Sequence, residues 1–497
     1  SRLVDTLEIR SGNGMYVAPL FEARILGGLE GRILEIRFTT KERIDLIISR
    51  MTLLVSKRTS SYLVDALGQR HVVDYEAKVP VDLDLSQLPF EDLGRRFPNR
   101  SARDQYGGYG QSDYAFDATG FFYVEQRDGK WFLVSPAGNP FYSLGINGVR
   151  RKSTLNNAAL TRVRGREDLF QRLPAYEDCP ECFSPDSAYL SFYCNNVRNR
   201  YATYEDWKSR THRRLQAIGF NTIGNWSDTL VMGGPVPYTF TLNTREAIGL
   251  TAGHHLPDVF HPEWEAQLEE AFSKITSRQD DPYLLGYFVD NEMGWGGTAR
   301  LDTASYSFKA LRAISGDEEK QRVFAEKYFA TVARVIRKFD SNHLYLGCRF
   351  TRNIQRHQIP AQVASKYVDV VSVNVYSMFT QEEMDTWYAI VQKPILIGEH
   401  HVPPITNRAL LPRYPAFDQG RRDDILINYV RTWSSYPYAI GSHWYQYVDQ
   451  EVAGRGDGGE NQPVGLVSVT DQLDTHLAGV FYDLSADIRD NYLMPVE

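Results

Sequence analysis

The chain has 497 residues, with 55 Lys and Arg against 62 Asp and Glu, for a formal net charge of −7. At about 150 residues per domain this length suggests two to four domains, and 42% hydrophobic with 24% charged residues excludes a disordered chain. No basic block stands ready to neutralise a run of phosphates, which argues against nucleic acid, and no stretch approaches the roughly 18 apolar residues of a membrane span: even Ile44–Val55 is broken by Asp45 and Arg50.

The first predicted elements are strands. Leu34–Thr39 alternates apolar and polar residues, and Val81–Leu85 does so again, the period of a sheet with one wet face. Residues 1 to about 90 therefore read as a small β-sandwich. Leu93–Asp117, crowded with Gly, Arg, Asp and Tyr, has neither period and reads as a linker that can still be packed, so the expected domains are 1–115 and 116–497. Phe121–Val134 places Asp128-Gly129 between two apolar runs, a hairpin signal, and Pro136–Asn139 supplies a second turn.

Short apolar runs then alternate with amphipathic helices. Eight strands are expected at Tyr142–Val149, Thr222–Trp226, Tyr238–Leu242, Leu284–Val289, Leu344–Arg349, Val368–Tyr376, Pro394–Gly398 and Ile440–Tyr445. Between them, Trp264, Leu268, Phe272 and Ile275 share one helical face, as do Phe324, Tyr328, Val332, Val335 and Phe339. Helical connections make the strands parallel, and the count fits an α/β fold of the (β/α)8 TIM-barrel type, with a doubly wound open sheet as the rival.

Four cysteines are too few to build the fold on disulfides. Cys179-Pro-Glu-Cys182 followed by Cys194 invites a zinc reading, but Cys348 lies far along the chain, and all four are expected to be loop or core thiols with no metal.

Barrel enzymes build their sites just past the strand C-termini. The fourth strand ends in Asp290-Asn291-Glu292 and the seventh in Glu399-His400, so two carboxylates are expected to face each other across the mouth. Such a pair is what glycoside hydrolysis needs: one carboxyl protonates the leaving oxygen, and the other attacks the anomeric carbon or activates water. Other strand-end residues have the chemistry to hold a sugar. They are Asn147, Asn225, Trp226, Arg349, Asn374, Tyr376, His400, His443, Trp444 and Gln446, with Glu460 and Asn461 beyond the last strand. Each has a structural alternative: Trp226 and Trp444 as core aromatics, Arg349 as a counter-charge to the glutamates, His443 as a satisfied buried histidine. Arg455-Gly-Asp457 spells an adhesion tripeptide, but three common residues recur by chance.

An Asn-Glu pair ending the fourth strand, with a glutamate ending the seventh, resembles the signature of the large retaining clan of barrel glycosidases. The segments Gly120–Glu125, Gly129–Gly138, Phe220–Asp228, Gly441–Tyr447 and Gly454–Asn461, with Met15–Glu22 and Gly27–Gly31 near the start, in this order resemble glycoside hydrolase family 50, largely β-agarases. The resemblance runs from about residue 15 to 475. It implies a retaining exo-β-agarase that needs no cofactor and releases neoagarobiose from a galactan, with Glu292 as acid/base and Glu399 as nucleophile. It further implies that Asn291 binds the sugar 2-hydroxyl, that Tyr376 points at the nucleophile, and that the N-terminal sandwich is of the carbohydrate-binding-module kind. The expected location is secreted, periplasmic or cell-surface.

Two departures leave the flanking sugar open. After the nucleophile the family usually reads Phe-His-Phe-Gly-Ala, whereas this chain reads His400-His-Val-Pro-Pro404 and differs onward to Arg413; and Asp104–Gln111 is longer than the family's Asp-x-Tyr-Gly-Gln. A β-galactosidase, or a hydrolase of porphyran or carrageenan, is the alternative within the class. A non-catalytic galactan-binding protein is the alternative outside it.

Overall fold

A computed structural model describes residues 62–495 except 72, 73, 76, 101, 152–158, 254, 407, 409–415, 457 and 458. Ser1–Ser61 and Tyr62–Glu497 separate as two units, and the description below concerns the second. The alternating run Leu34–Thr39 and most of the expected sandwich lie outside the described residues. The second alternating run is not a strand: Asp84 accepts the amide of Ser86 and caps a 3-10 turn at Leu85–Gln87. Leu85 instead joins a small cluster with Leu67 and Val79, against which Val81 packs, while Leu83 is exposed. The segment read as a linker is packed. Asp104 accepts Ser135 Oγ at 2.6 Å and Asn139 Nδ2 at 2.7 Å, and the amide of Tyr109 donates to Pro140 O.

The expected hairpin forms from β1 (Tyr123–Arg127) and β2 (Lys130–Val134), paired antiparallel around Asp128-Gly129, with β3 (Pro140–Phe141) alongside. The parallel strands follow: β4 (Ser143–Ile146), β5 (Thr222–Ile223), β6 (Tyr238–Leu242), β7 (Leu284–Val289), β8 (Leu344–Tyr345), β9 (Phe350–Thr351), β10 (Val371–Asn374), β11 (Ile395–His400) and β12 (Ala439–Trp444). Their order is β8-β7-β6-β5-β4-β12-β11-β10-β9. The first strand pairs with the last, and the two ends of the series are halves of one run, so the sheet curls back on itself as a TIM-type sheet does and an open doubly wound sheet is ruled out. The fifth expected strand is split because Gly347 (φ 80°) and Arg349 (φ 54°) take left-handed backbone. The amides of Asp369 and Val370 still reach Tyr345 O across the break.

Helices α1 (Phe192–Arg200), α2 (Tyr204–Ile218), α3 (Trp264–Phe272), α4 (Asp317–Phe339), α5 (Ile354–Ala364), α6 (Gln381–Val391), α7 (Gln419–Ser435) and α8 (Thr475–Leu493) are the long ones. The predicted faces pack as expected, with Trp264, Leu268, Phe272, Phe324, Tyr328 and Val332 buried. The hairpin contributes Phe122, Leu133 and Phe141 to a separate cluster with Leu285, Leu396 and Ile440 of the strands. Each such burial contributes roughly 1.5–3 kcal/mol. Leu285, Leu396 and Ile440 lie near the starts of their strands, so the hairpin plugs that end and leaves the strand C-termini as the open mouth. Among the described residues no helix is long and apolar enough to cross a membrane.

The reading of all four cysteines as thiols fails for two of them. Cys182 and Cys194 form a disulfide, with Cα atoms 5.4 Å apart. The amide of Ser191 donates to Cys182 O at 2.9 Å, folding the start of α1 back onto Cys182. Cys179 and Cys348 are free and buried.

Candidate active site

Glu399 is the penultimate residue of β11, where strand alternation turns its side chain into the mouth. It is buried, and both oxygens are held. Oε1 accepts Trp226 Nε1 at 2.7 Å and Arg349 Nη2 at 2.5 Å, while Oε2 accepts the Tyr376 hydroxyl. Arg349 is fully buried and also donates to Gly398 O at 2.9 Å. Glycine is needed there, since a Cβ at Gly398 would lie 2.8 Å from Asn374 Oδ1 and 3.0 Å from Arg349 Nε.

Glu292 sits three residues beyond β7, on a chain turned by left-handed backbone at Asp290 (φ 59°) and Glu292 itself (φ 46°). Asp290 anchors the turn by accepting Thr244 N, Thr244 Oγ1 and Tyr328 OH. The amide of Glu292 donates to Arg349 O at 3.1 Å, and its Oε1 accepts Asn374 Nδ2 at 2.8 Å. The same Asn374 group reaches Asn291 Oδ1 at 3.2 Å, and Arg349 Nε reaches Asn374 Oδ1 at 3.4 Å. One hydrogen-bonded path, Glu292–Asn374–Arg349–Glu399, therefore joins the two carboxyl groups. Trp226 (φ 63°) and Arg349 are left-handed too, so four of these non-glycine strains border one mouth, as at sites whose geometry the surrounding structure enforces.

The surroundings separate the two acids chemically. Loss of solvent, then the charge of Glu399, pushes the Glu292 carboxyl above its ordinary range, against the opposing pull of Asn374 and Arg349. Glu292 is thereby biased toward the protonated form, while Glu399 receives three donors suited to a carboxylate.

Asn147 and Asn225 lie buried at the floor. Asn147 Nδ2 donates to Gly398 O at 2.8 Å, steadying the strand that carries Glu399, and Asn225 accepts the Thr241 hydroxyl. Gln446 lines the wall, donating to Val448 O and accepting Arg150 Nη2. Glu460 is tied to Arg455 at 2.5 Å, and Asn461 lies buried next to it in the chain.

Three expected sugar contacts are corrected. His400 follows the inward Glu399 and so points outward; its ring stacks on Tyr429 at 4.8 Å, and burial lowers its pKa to about 3. Trp444 likewise points out, donating to Val464 O and packing against Phe481 of α8. His443 points inward but below the mouth, bonded to Ser143 Oγ at 2.9 Å and held neutral by burial, with a pKa of about 3. The residues that do border the mouth are their neighbours. The His401 ring lies 4.6 Å from Tyr376 and its Nδ1 is 2.8 Å from Tyr445 O, while the Tyr445 ring stands 6.3 Å from Tyr376. Counting two residues on from each inward side chain would have found both.

A curled parallel barrel with glutamates leaving its fourth and seventh strands has the architecture of the barrel glycosidases. No protein-family model matches the chain. Over 82% of its length it is 27% identical to β-agarase A and 28% identical to β-agarase B, both from Vibrio sp. (strain JT0107). Those matches cover 50% and 52% of the two proteins, so the chain spans about half the length of the curated relatives it matches. Among solved structures, the agarase AgWH50C shares the fold with a TM-score of 0.75 at 24% identity, over 87% of this chain and 73% of that one. The chain is a homologue of the β-agarases, and its resemblance to glycoside hydrolase family 50 holds.

Proposed function

We propose that this protein is a retaining glycoside hydrolase that cleaves β-galactosidic bonds of a red-algal, agar-type galactan, acting as an exo-β-agarase that releases neoagarobiose. The observation that carries the reading is the pair Glu292 and Glu399, joined through Asn374 and Arg349 and held in different environments. Kinship with β-agarases A and B supports the substrate class.

In the first step a Glu399 oxygen attacks the anomeric carbon as the glycosidic bond breaks, and Glu292 passes its proton to the leaving oxygen. In the second, Glu292 takes a proton from water, whose oxygen displaces Glu399 and frees the sugar. Trp226, Arg349 and Tyr376 aim the nucleophile, and Asn291 binds the 2-hydroxyl. The Cys182–Cys194 disulfide supports action outside the reducing cytosol, in a secreted, periplasmic or surface-bound enzyme.

Product analysis on agarose, porphyran, carrageenan and a chromogenic β-galactoside tests this. Neoagarobiose from agarose supports the reading; turnover of the simple galactoside alone, or of none of the four, rejects it.

A further inference from the structure

Trp226 holds Glu399 from left-handed backbone, φ 63°, which a bulky residue keeps only where its surroundings impose it. What imposes it lies behind the mouth. The chain segments leaving β4 and β5 are zipped together: Gly148 N donates to Asn225 O at 2.8 Å, Val149 N to Ser227 Oγ at 3.0 Å, and Asp228 N to Val149 O at 2.9 Å. A side chain makes the contact with Trp226 itself, since Arg150 Nη1 donates to Trp226 O at 3.0 Å. Resting on the glycosidase reading above, we propose that Arg150 is a positioning residue, which clamps the Trp226 carbonyl so that the indole stays on Glu399 and acts on the reaction through that tryptophan.

The placement of the guanidinium suits this role rather than contact with a sugar. Arg150 is only 9% exposed, and the space beside it, bordered by Gln446 and Glu451, measures about 20 Å³, room for about one water molecule. No sugar ring fits there. Its other partners fix the fork: Nη2 donates to Gln446 Oε1 at 3.3 Å, and the Tyr445 side chain is hydrogen-bonded to it as well. Burying a guanidinium costs free energy, which the charge of Glu399 and the Tyr445 hydrogen bond offset against the opposing charge of Arg455. A planar fork serves Trp226 O and Gln446 at once, tying the segment after β5 to the one after β12. The relay Arg150–Trp226–Glu399 thereby joins the ends of β4, β5 and β11.

The test pairs kinetics on an agaro-oligosaccharide with the indole N–H resonance of Trp226 in protein carrying isotope-labelled tryptophan, the signal being identified by its loss in Trp226→Phe. Arg150→Met is expected to lower kcat about 10-fold or more with KM held within about threefold, and to move the resonance upfield as the bond to the carboxylate lengthens. In a Trp226→Phe background the same change should cost less than about twofold, because the route is already cut. An unchanged kcat, an effect on KM alone, a further loss in the double variant as large as in the single one, or a loss of kcat with the resonance in place would overturn the proposal. Arg150→Gln, judged by the same readouts, decides the matter where Arg150→Met does not fold. Absence of galactan turnover in the wild type would reject only the hydrolase reading; the relay is then decided by the resonance, and falls if the signal does not move in the folded variant.

Discussion

Trp226 donates its indole N–H to Oε1 of Glu399 at 2.7 Å, sharing that oxygen with the Arg349 guanidinium. A tryptophan at the end of a second strand thus orients a carboxylate on the seventh, and it does so from a left-handed backbone (φ 63°). A hydrogen bond to a charged group is worth about 1.5–3 kcal/mol, so Trp226→Phe should lower kcat/KM by roughly 10- to 150-fold. Steady-state kinetics with circular dichroism to verify folding checks this; a rate within twofold of wild type would show that the contact does not orient Glu399 for catalysis.

Burial and the charge of Glu399 push the Glu292 carboxyl above its ordinary range, and in the proposed role of general acid it must be protonated in the free enzyme. Activity is therefore lost as pH rises through its pKa, on the basic limb of the kcat/KM profile. The Asn374 hydrogen bond favours the charged form, so Asn374→Ala should move that limb to higher pH while lowering the maximum by about 10-fold or more. A basic limb that stays in place or moves down would separate the limb from Glu292.

Glu451 has a folded-state pKa of about 8 against an ordinary 4.5. The sign follows from linkage. Below 4.5 both states carry the proton and nothing is lost; between 4.5 and 8 only the unfolded chain ionises, so stability falls; above 8 the full penalty is present. Glu451→Gln keeps an acceptor for the Phe192 amide, and should stabilise the protein at pH 7 by on the order of 3 kcal/mol, with no gain at pH 4. Denaturant melts at the two pH values measure the difference, and an equal gain at both would contradict it.

The Cys182–Cys194 bridge, with a sequence separation of 12, ties the first turn of α1 to the segment before it. Closing a loop of this size contributes about 3 kcal/mol by chain-entropy reasoning. Replacing both cysteines by serine should lower stability by that order, read as a reduced denaturation midpoint; an unchanged midpoint would mean the loop is fixed by its packing alone.

Much of this was legible in the residues, for physical reasons that also mark where legibility stops. Glu292 and Glu399 stand out because each is the charge that ends an apolar run, and Trp226, Arg349, Asn374 and Tyr376 because they close neighbouring runs. His400 and Trp444 have the chemistry of sugar ligands but the wrong direction: side chains alternate along a strand, so the neighbour of an inward residue faces the helices. His401 and Tyr445, two residues past Glu399 and His443, lie on the correct face. The break in the fifth strand had a signal in Gly347, but nothing local requires Arg349 to be left-handed; the donors it supplies to Gly398 and Glu399 do. Nor does spacing pair Cys182 with Cys194, since that needs the turn held by Ser191 N and Cys182 O.

The central claim is that Glu399 becomes covalently bonded to the sugar during turnover. Incubation with a 2-deoxy-2-fluoro-β-galactosyl donor bearing a good leaving group, followed by peptide mass mapping, tests it most directly. The account predicts inactivation with one glycosyl adduct on Glu399. Turnover without an adduct, or an adduct on any other residue, would contradict it.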